Sequence, residues 1–324
     1  MIKIHLTEGQ KKELGEKYWS QIKHRTRILS AFKTGKYQFE IANYSCNLYH
    51  FLYKDNNFNE QNLKELVLAD RGQMMDYINK FQSTSSEKNS DILVKMLFKY
   101  HRVNHIVAEI ISELDVNVCP YCNMQYTTIL KRKHISASKK DNIIYKLTLD
   151  HYYPKSKYPF LALSIWNLIP CCHNCNLAKS NHDTYKFPIL YPYEDEFGYD
   201  IVFSAKPNKN SDFVKFICGL ESDFNIIIEN LKGQLPDSVH RQLDMFDLEE
   251  LYASHKHYVQ NILKKTYIYS DDYIRNLCNQ FPDILGTKDK AMQIIYMTDM
   301  DKDSWSNHIL GKLTRDIIWD RFDL

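Results

Sequence analysis

Cys119-Pro120-Tyr121-Cys122 and Cys172-His173-Asn174-Cys175-Asn176 frame the segment whose reading decides the fold. The two C-x-x-C pairs are separated by 49 residues. Two intervening residues let both thiolates of a pair turn towards one ion, and two such pairs complete a closed tetrahedral zinc site, which is structural. The segment between them is too small to fold alone, so Zn²⁺ on Cys119, Cys122, Cys172 and Cys175 is expected to contribute folding free energy there. C-P-Y-C is also the form of a redox dithiol, which needs a strand before it and a helix beginning at the second Cys. Here a helical pattern precedes it and Gln125-Tyr126-Thr127-Thr128-Ile129-Leu130 follows as an extended run, which favours the metal. Cys46, Cys171, Cys218 and Cys278 read as ordinary small apolar residues, and the spacing of Cys171 to Cys175 is wrong for a knuckle.

Working outward, residues 124–130 and 143–149 read as short extended runs around a Lys/Ser/Asn-rich loop. After Trp166-Asn167-Leu168-Ile169-Pro170 a short helix is predicted over residues 173–179. Helical patterns flank this unit. Thr7-Glu8-Gly9-Gln10 has the form of a capping box, Asn59 or Asn62 can start a second helix, and Asp91 can cap a third over residues 92–100 behind a linker at 83–89. Ile106, Val107, Ile110, Ile111 and Leu114 repeat at helical spacing. Past residue 237, Asp247 with Glu250 has the capping-box form, with Phe246 and Leu251 at staple positions. Leu248, Leu251, Tyr252, Val259, Ile262 and Leu263 then line one face, and helices are predicted over 271–281, 288–297 and 307–322. The fold class is therefore mainly α with a small α+β insert. It divides into a helical region 1–114, the insert 115–193 and a mainly helical region 194–324.

Composition excludes several classes. The 324 residues are 44% hydrophobic and 25% charged, with 8 Cys, an ordinary globular make-up too poor in cysteine for a disulfide scaffold. No run of about 18 uncharged apolar residues and no leader-like start are present, which predicts a cytoplasmic protein without a membrane partner. None of the 9 Gly is spaced as G-x-G-x-x-G or G-x-x-x-x-G-K requires, so a step that needs ATP hydrolysis must come from a separate ATPase or sensor chain.

Between the knuckles lies Leu149-Asp150-His151-Tyr152-Tyr153-Pro154-Lys155, followed by Asn167, Asn176 and Lys179. This run resembles the HNH, or ββα-metal, endonucleases: Asp-His closes a first strand, Asn167 stands five residues before Cys172, and Cys-x-x-Cys-Asn-x-x-Lys opens a helix. The resemblance implies that His151 is the general base, that Asp150 and Asn176 hold a catalytic Mg²⁺ or Mn²⁺, and that Asn167 orders the loop holding His151. Lys179, with Lys155 and Lys157, would meet the nucleic-acid backbone. The family's last letter is often His, and here it is Asn176, an oxygen donor that suits Mg²⁺ better than a transition metal; His173 and His182 are spare candidates.

The chemistry of these residue types agrees. Phosphodiester cleavage needs a water deprotonated near neutral pH and a hard cation to neutralise the phosphate. Adjacent strand residues point to opposite faces, so Asp150 and His151 must lie at an irregular strand end, and Pro154 provides the exit. The resemblance implies DNA as substrate and 5′-phosphate and 3′-hydroxyl products. Phe187-Pro188-Ile189-Leu190-Tyr191-Pro192-Tyr193 and Leu313-Thr314-Arg315-Asp316-Ile317 are also similar to HNH proteins of anti-phage defence, such as the Septu-type and retron-associated ones, although packing explains those motifs equally well.

Charge supports a nucleic-acid partner. Residues 119–192 carry ten Lys and Arg against three Asp, while the rest of the chain has 32 basic against 37 acidic residues. The formal net charge of +2 therefore hides a basic module on a mildly acidic frame. Tyr152, Tyr153 and Tyr158 flank the expected base and read as loop packing in preference to base stacking. The alternative reading is a zinc-stabilised module that binds nucleic acid without cutting it. One active site per chain cuts one strand, so double-strand cleavage would require an oligomer or two encounters.

Overall fold

Thr7 starts the first helix as its sequence predicts: its side chain accepts the Gln10 N–H at 3.2 Å, and Gln10 Oε1 accepts the Thr7 N–H at 2.9 Å. The computed structural model describes residues 1–81, 103–114, 116–127, 129–132, 142–145 and 147–322. The expected linker 83–89, the helix behind Asp91, and Lys133, Lys139, Lys140 and Lys146 lie outside the described residues. The chain forms two compact units, each discontinuous in sequence.

One unit comprises His5–Asp115 and Thr127–Pro188. It opens with α1 (Glu8–Arg25), which buries Leu14, Tyr18, Trp19 and Ile22 along one side. Next come α2 (Ile28–Lys33), α3 (Gln38–Tyr44) and α4 (Cys46–Leu52). The hairpin β1 (Tyr53–Lys54) and β2 (Asn57–Phe58) turns at Asp55 and Asn56, with φ of 49° and 61°, the left-handed pair that a two-residue hairpin turn requires. Asn59 caps α5 (Glu60–Leu68), and a second capping box of Asp70 and Gln73 starts α6 (Arg71–Lys80). After α7 (Asn104–Ile111) come two antiparallel pairs, β3 (Ile129–Arg132) with β4 (Asn142–Tyr145), and β5 (Thr148–His151) with β6 (Leu168–Cys171). Helix α8 (His173–Lys179) has the bounds predicted for it.

The other unit comprises Met1–Ile4, Val116–Tyr126 and Ile189–Leu324. Its sheet is the antiparallel hairpin β7 (Ile201–Pro207) and β8 (Phe224–Asn230), joined through α9 (Phe213–Ile217). The helices α10 (Asp237–Met245), α11 (Leu248–Ala253), α12 (Lys256–Ile268), α13 (Asp271–Gln280), α14 (Lys288–Tyr296) and α15 (Gly311–Phe322) follow. Residues 302–307 form a 3₁₀ turn that shortens the last predicted helix at its start.

Two expectations for this unit are corrected. The hairpin was not anticipated, although Phe224, Ile226 and Ile228 are buried alternately with an exposed Asn225, the two-residue period of a half-buried strand. Asp247 does not cap α11: its φ is 46° and its side chain makes no cap bond. The chain turns there between α10 and α11 in a left-handed conformation, not in the extended conformation of a capping residue. Leu251, expected at a staple position, is 44% exposed. Among the described residues no helix is long and apolar enough to cross a membrane.

Candidate active site

His151 is the last residue of β5, paired with Leu168, and Asp150 beside it pairs with Ile169. The ladder thus persists through both residues and gives way to bends at Tyr152 and Tyr153, one residue before Pro154. Their side chains find different partners. His151 Nε2 lies 3.1 Å from the Ala162 carbonyl oxygen. A carbonyl only accepts, so Nε2 carries the proton and the lone pair sits on Nδ1. Burial pushes the His151 imidazolium down to about 3, assisted by the charge of Lys155 and, after that, of Lys179. The ring is therefore neutral at neutral pH, the form that can accept a proton.

Asp150 is buried, and its Oδ1 accepts from Lys179 Nζ at 3.0 Å; the same ammonium donates to the His151 carbonyl oxygen at 2.7 Å. The structure thus places Lys179 inside the protein, paired with Asp150, and not on a surface facing a nucleic-acid backbone. Asn176 precedes Lys179 by three residues on α8, the spacing that puts two side chains on the same side of a helix. Burial lowers the Lys155 ammonium while the Asp150 carboxylate raises it, so Lys155 is charge-coupled to both Asp150 and His151. Lys157 is partly exposed, with its Nζ 3.4 Å from Asp183. His173 is exposed, and His182 meets the Phe187 carbonyl oxygen at 2.9 Å.

The donor set suits a hard cation. Asp150 supplies a carboxylate and Asn176 an amide oxygen, the oxygen ligands that Mg²⁺ and Mn²⁺ take. The cation that stands against Asp150 in the structure is the Lys179 ammonium.

Residues 152–167 connect β5 to β6, and Asn167 closes this loop from within. Its Nδ2 donates to the Tyr153 and Leu161 carbonyl oxygens at 3.0 and 3.2 Å, and its Oδ1 accepts the Tyr153 N–H at 2.7 Å. Backbone closure comes from Tyr152 N–H on the Asn167 carbonyl oxygen at 2.8 Å. Ala162, the partner of His151, belongs to this loop. The N-terminal helices hold it from outside: Tyr18 Oη donates to the Leu163 carbonyl oxygen at 3.0 Å, and Ser164 Oγ to that of Leu66 at 2.7 Å. Tyr152 and Tyr153 are buried with their rings edge to face at 5.0 Å, and Tyr158 Oη donates to Asp183 at 2.8 Å. These tyrosines pack the loop, as their positions suggested.

The sulfurs of Cys119, Cys122, Cys172 and Cys175 all lie within 4.8 Å of one another, and all four residues are buried. A zinc ion at about 2.3 Å from each of four thiolates would set them about 3.8 Å apart, so the cluster fits a tetrahedral zinc site. Cys172 Sγ also accepts the Cys175 N–H at 3.5 Å as the N-cap of α8.

Residues 137–182 match the HNH endonuclease family. The matched HNH segment contains His151, Asp150, Asn167, Asn176 and Lys179. A stretch of 83 residues is 31% identical to the Septu protein PtuB of Bacillus thuringiensis, covering 26% of this chain and 27% of that protein. The match therefore spans about a quarter of the relative's length. No solved structure matches the chain.

Outside the HNH segment, the first knuckle is held by Asn123, which the sequence reading did not single out, and by Tyr252 and Phe246. Asn123, directly after Cys122, has a φ of 52°. Its Oδ1 accepts the Lys312 N–H at 3.1 Å, its Nδ2 donates to the His308 carbonyl oxygen at 2.9 Å, and its own carbonyl accepts the Leu310 N–H at 2.6 Å. Tyr252 Oη donates to the Cys122 carbonyl oxygen at 2.7 Å, and the Tyr121 ring stacks on Phe246 at 5.1 Å. Asn tolerates left-handed backbone better than other non-glycine residues, which was the available signal for Asn123.

The Leu313-Thr314-Arg315-Asp316-Ile317 motif packs this same unit. Asp316 accepts from Lys312 Nζ at 2.6 Å, from Arg315 at 3.2 Å and from the Phe203 N–H at 3.0 Å, tying α15 to β7. The Arg315 guanidinium lies 3.8 Å from the Trp319 ring centroid. The other motif also contributes to packing: Ile189 and Tyr191 are buried, and the Leu190 N–H meets Gln242 Oε1 at 3.2 Å.

Proposed function

We propose that the protein is a metal-dependent HNH endonuclease whose catalytic module, residues 115–193, hydrolyses phosphodiester bonds. The observation that carries this reading is the His151 ring, held by the Ala162 carbonyl through Nε2 so that Nδ1 keeps the lone pair, and set beside Asp150 within the HNH segment. In this reading Nδ1 of His151 takes the proton of a water that attacks phosphorus. The bond from phosphorus to the 3′-oxygen breaks, leaving a 5′-phosphate and, once protonated, a 3′-hydroxyl. Asp150 and Asn176 would hold Mg²⁺ or Mn²⁺, which when bound supplies neutralisation of charge on the phosphate. Asn167 keeps Ala162 in place under the imidazole, and Lys155 and Lys157 meet the backbone of the substrate. Zn²⁺ on the four cysteines is structural.

DNA is the favoured substrate on the family resemblance, and the segment shared with a Septu protein supports a role as an anti-phage effector. A separate ATPase or sensor chain would control it, because the sequence holds no nucleotide cradle. The test is incubation of the purified protein with supercoiled plasmid and, separately, structured RNA, in Mg²⁺, in Mn²⁺ and in EDTA. Plasmid nicking that disappears in EDTA is expected. Tight, salt-sensitive binding with no cleavage in either metal would instead support the binding-only module.

A further inference from the structure

The carboxylate read above as a metal ligand already has a cation. Lys179 Nζ stands 3.0 Å from Asp150 Oδ1 and 2.7 Å from the His151 carbonyl oxygen, with the two side chains 0% and 3% exposed. The pairing is built into the scaffold. Lys179 follows Cys175 by one helical turn on α8, so the helix that carries two cluster thiols also delivers the ammonium to the end of β5. Neither partner is tolerable there alone: a buried ammonium needs an acceptor with charge, and a buried carboxylate needs a cation.

We infer that Lys179 is a resident counter-ion that keeps the Asp150 site assembled without a divalent cation and lowers the site's affinity for one. The inference rests on the reading of Asp150 as a metal ligand. With its charge offset by Lys179, Asp150 stays buried and oriented in the metal-free protein. An arriving divalent ion then meets a carboxylate whose field is partly cancelled, and is repelled by the ammonium itself. Lys155, coupled to the same carboxylate from the loop side, is a second positive charge, so loss of Lys179 leaves some compensation in place. Lys179 acts through Asp150 and is a positioning residue; it does not touch the substrate.

The test compares the full-length wild type with Lys179→Met, which keeps the length of the side chain without its charge, and with Asp150→Asn. Mn²⁺ binding is measured without nucleic acid by the electron paramagnetic resonance of the free ion, and thermal melting is recorded with and without Mn²⁺; zinc content is the control for folding. Lys179→Met is expected to bind Mn²⁺ at least about tenfold more tightly than wild type and to gain more melting temperature on adding it. A merely structural lysine predicts the opposite, since a damaged site binds more weakly. Equal or weaker Mn²⁺ binding by Lys179→Met overturns the inference, provided Asp150→Asn has lost binding. Wild-type binding by Asp150→Asn overturns the underlying reading of Asp150. Folding of Lys179→Met only when Mn²⁺ is present supports the inference. If that variant folds under neither condition, Lys179→Gln is measured in the same way and its Mn²⁺ affinity decides.

Discussion

Replacing Asn167 by Asp isolates the part of the site that depends on loop geometry. The substitution keeps the size of the side chain and the oxygen that accepts the Tyr153 N–H at 2.7 Å. It removes the Nδ2 donor and puts a carboxyl oxygen against the Tyr153 and Leu161 carbonyl oxygens, at 3.0 and 3.2 Å. Two hydrogen bonds worth about 1 kcal/mol each are lost, and a carboxyl group is left in a fully buried position, for a combined cost of about 3–5 kcal/mol. Leu161 retains a partner in the Ser164 N–H, so the damage centres on Tyr153 and the β5 end of the loop. Because Ala162 rides on this loop, His151 loses its orienting carbonyl whenever the loop opens. A cost of about 3 kcal/mol corresponds to about two orders of magnitude in the closed population, and single-turnover cleavage should fall by up to that factor. Hydrogen exchange at the Tyr153 amide should accelerate in parallel, with the zinc content of the protein unchanged. Cleavage within about threefold of wild type, with a protected Tyr153 amide, would refute the role given to Asn167.

Two further outcomes follow from the zinc cluster and the buried ion cluster. Cys122→Ser should lose about one zinc per chain by elemental analysis and melt at lower temperature, and a strong zinc chelator should lower the melting temperature of the wild type in the same way; full zinc occupancy in the variant would contradict the assignment. Asp316→Ala removes the acceptor of Lys312, Arg315 and the Phe203 N–H, all buried. It should cost about 3–5 kcal/mol in denaturant titration, whereas a change under about 1 kcal/mol would show that α15 and β7 do not depend on this carboxylate.

Local chemistry was legible in the sequence because it depends on spacing. The two C-x-x-C pairs, the helix over residues 173–179 and the capping box at Thr7 are properties of a few neighbouring residues, and the structure contains all three. What depends on partners distant in the chain was not legible. Lys179 looks like a surface cation because lysine usually is one, yet its carboxylate comes from a strand 29 residues earlier. The anchoring of Asn123 draws on residues some 190 positions away, and no local pattern announces it. Asp247 has the sequence of a cap, but the junction of α10 and α11 takes a left-handed turn there. The β7–β8 hairpin, in contrast, did carry a signal: Ile226-Ile227-Ile228 is a β-branched run. It was missed because helical patterns dominate the sequence downstream.

The central claim is that His151 is the base of a phosphodiester hydrolase, and single-turnover cleavage of supercoiled plasmid by His151→Ala tests it most directly. The variant is first shown to hold its zinc and to melt as the wild type does. Loss of about 10²–10⁴-fold in rate is predicted, with Mg²⁺ present and binding to the plasmid retained. Cleavage by His151→Ala at the wild-type rate would contradict the account, because the ring that the Ala162 carbonyl holds would then not be the base.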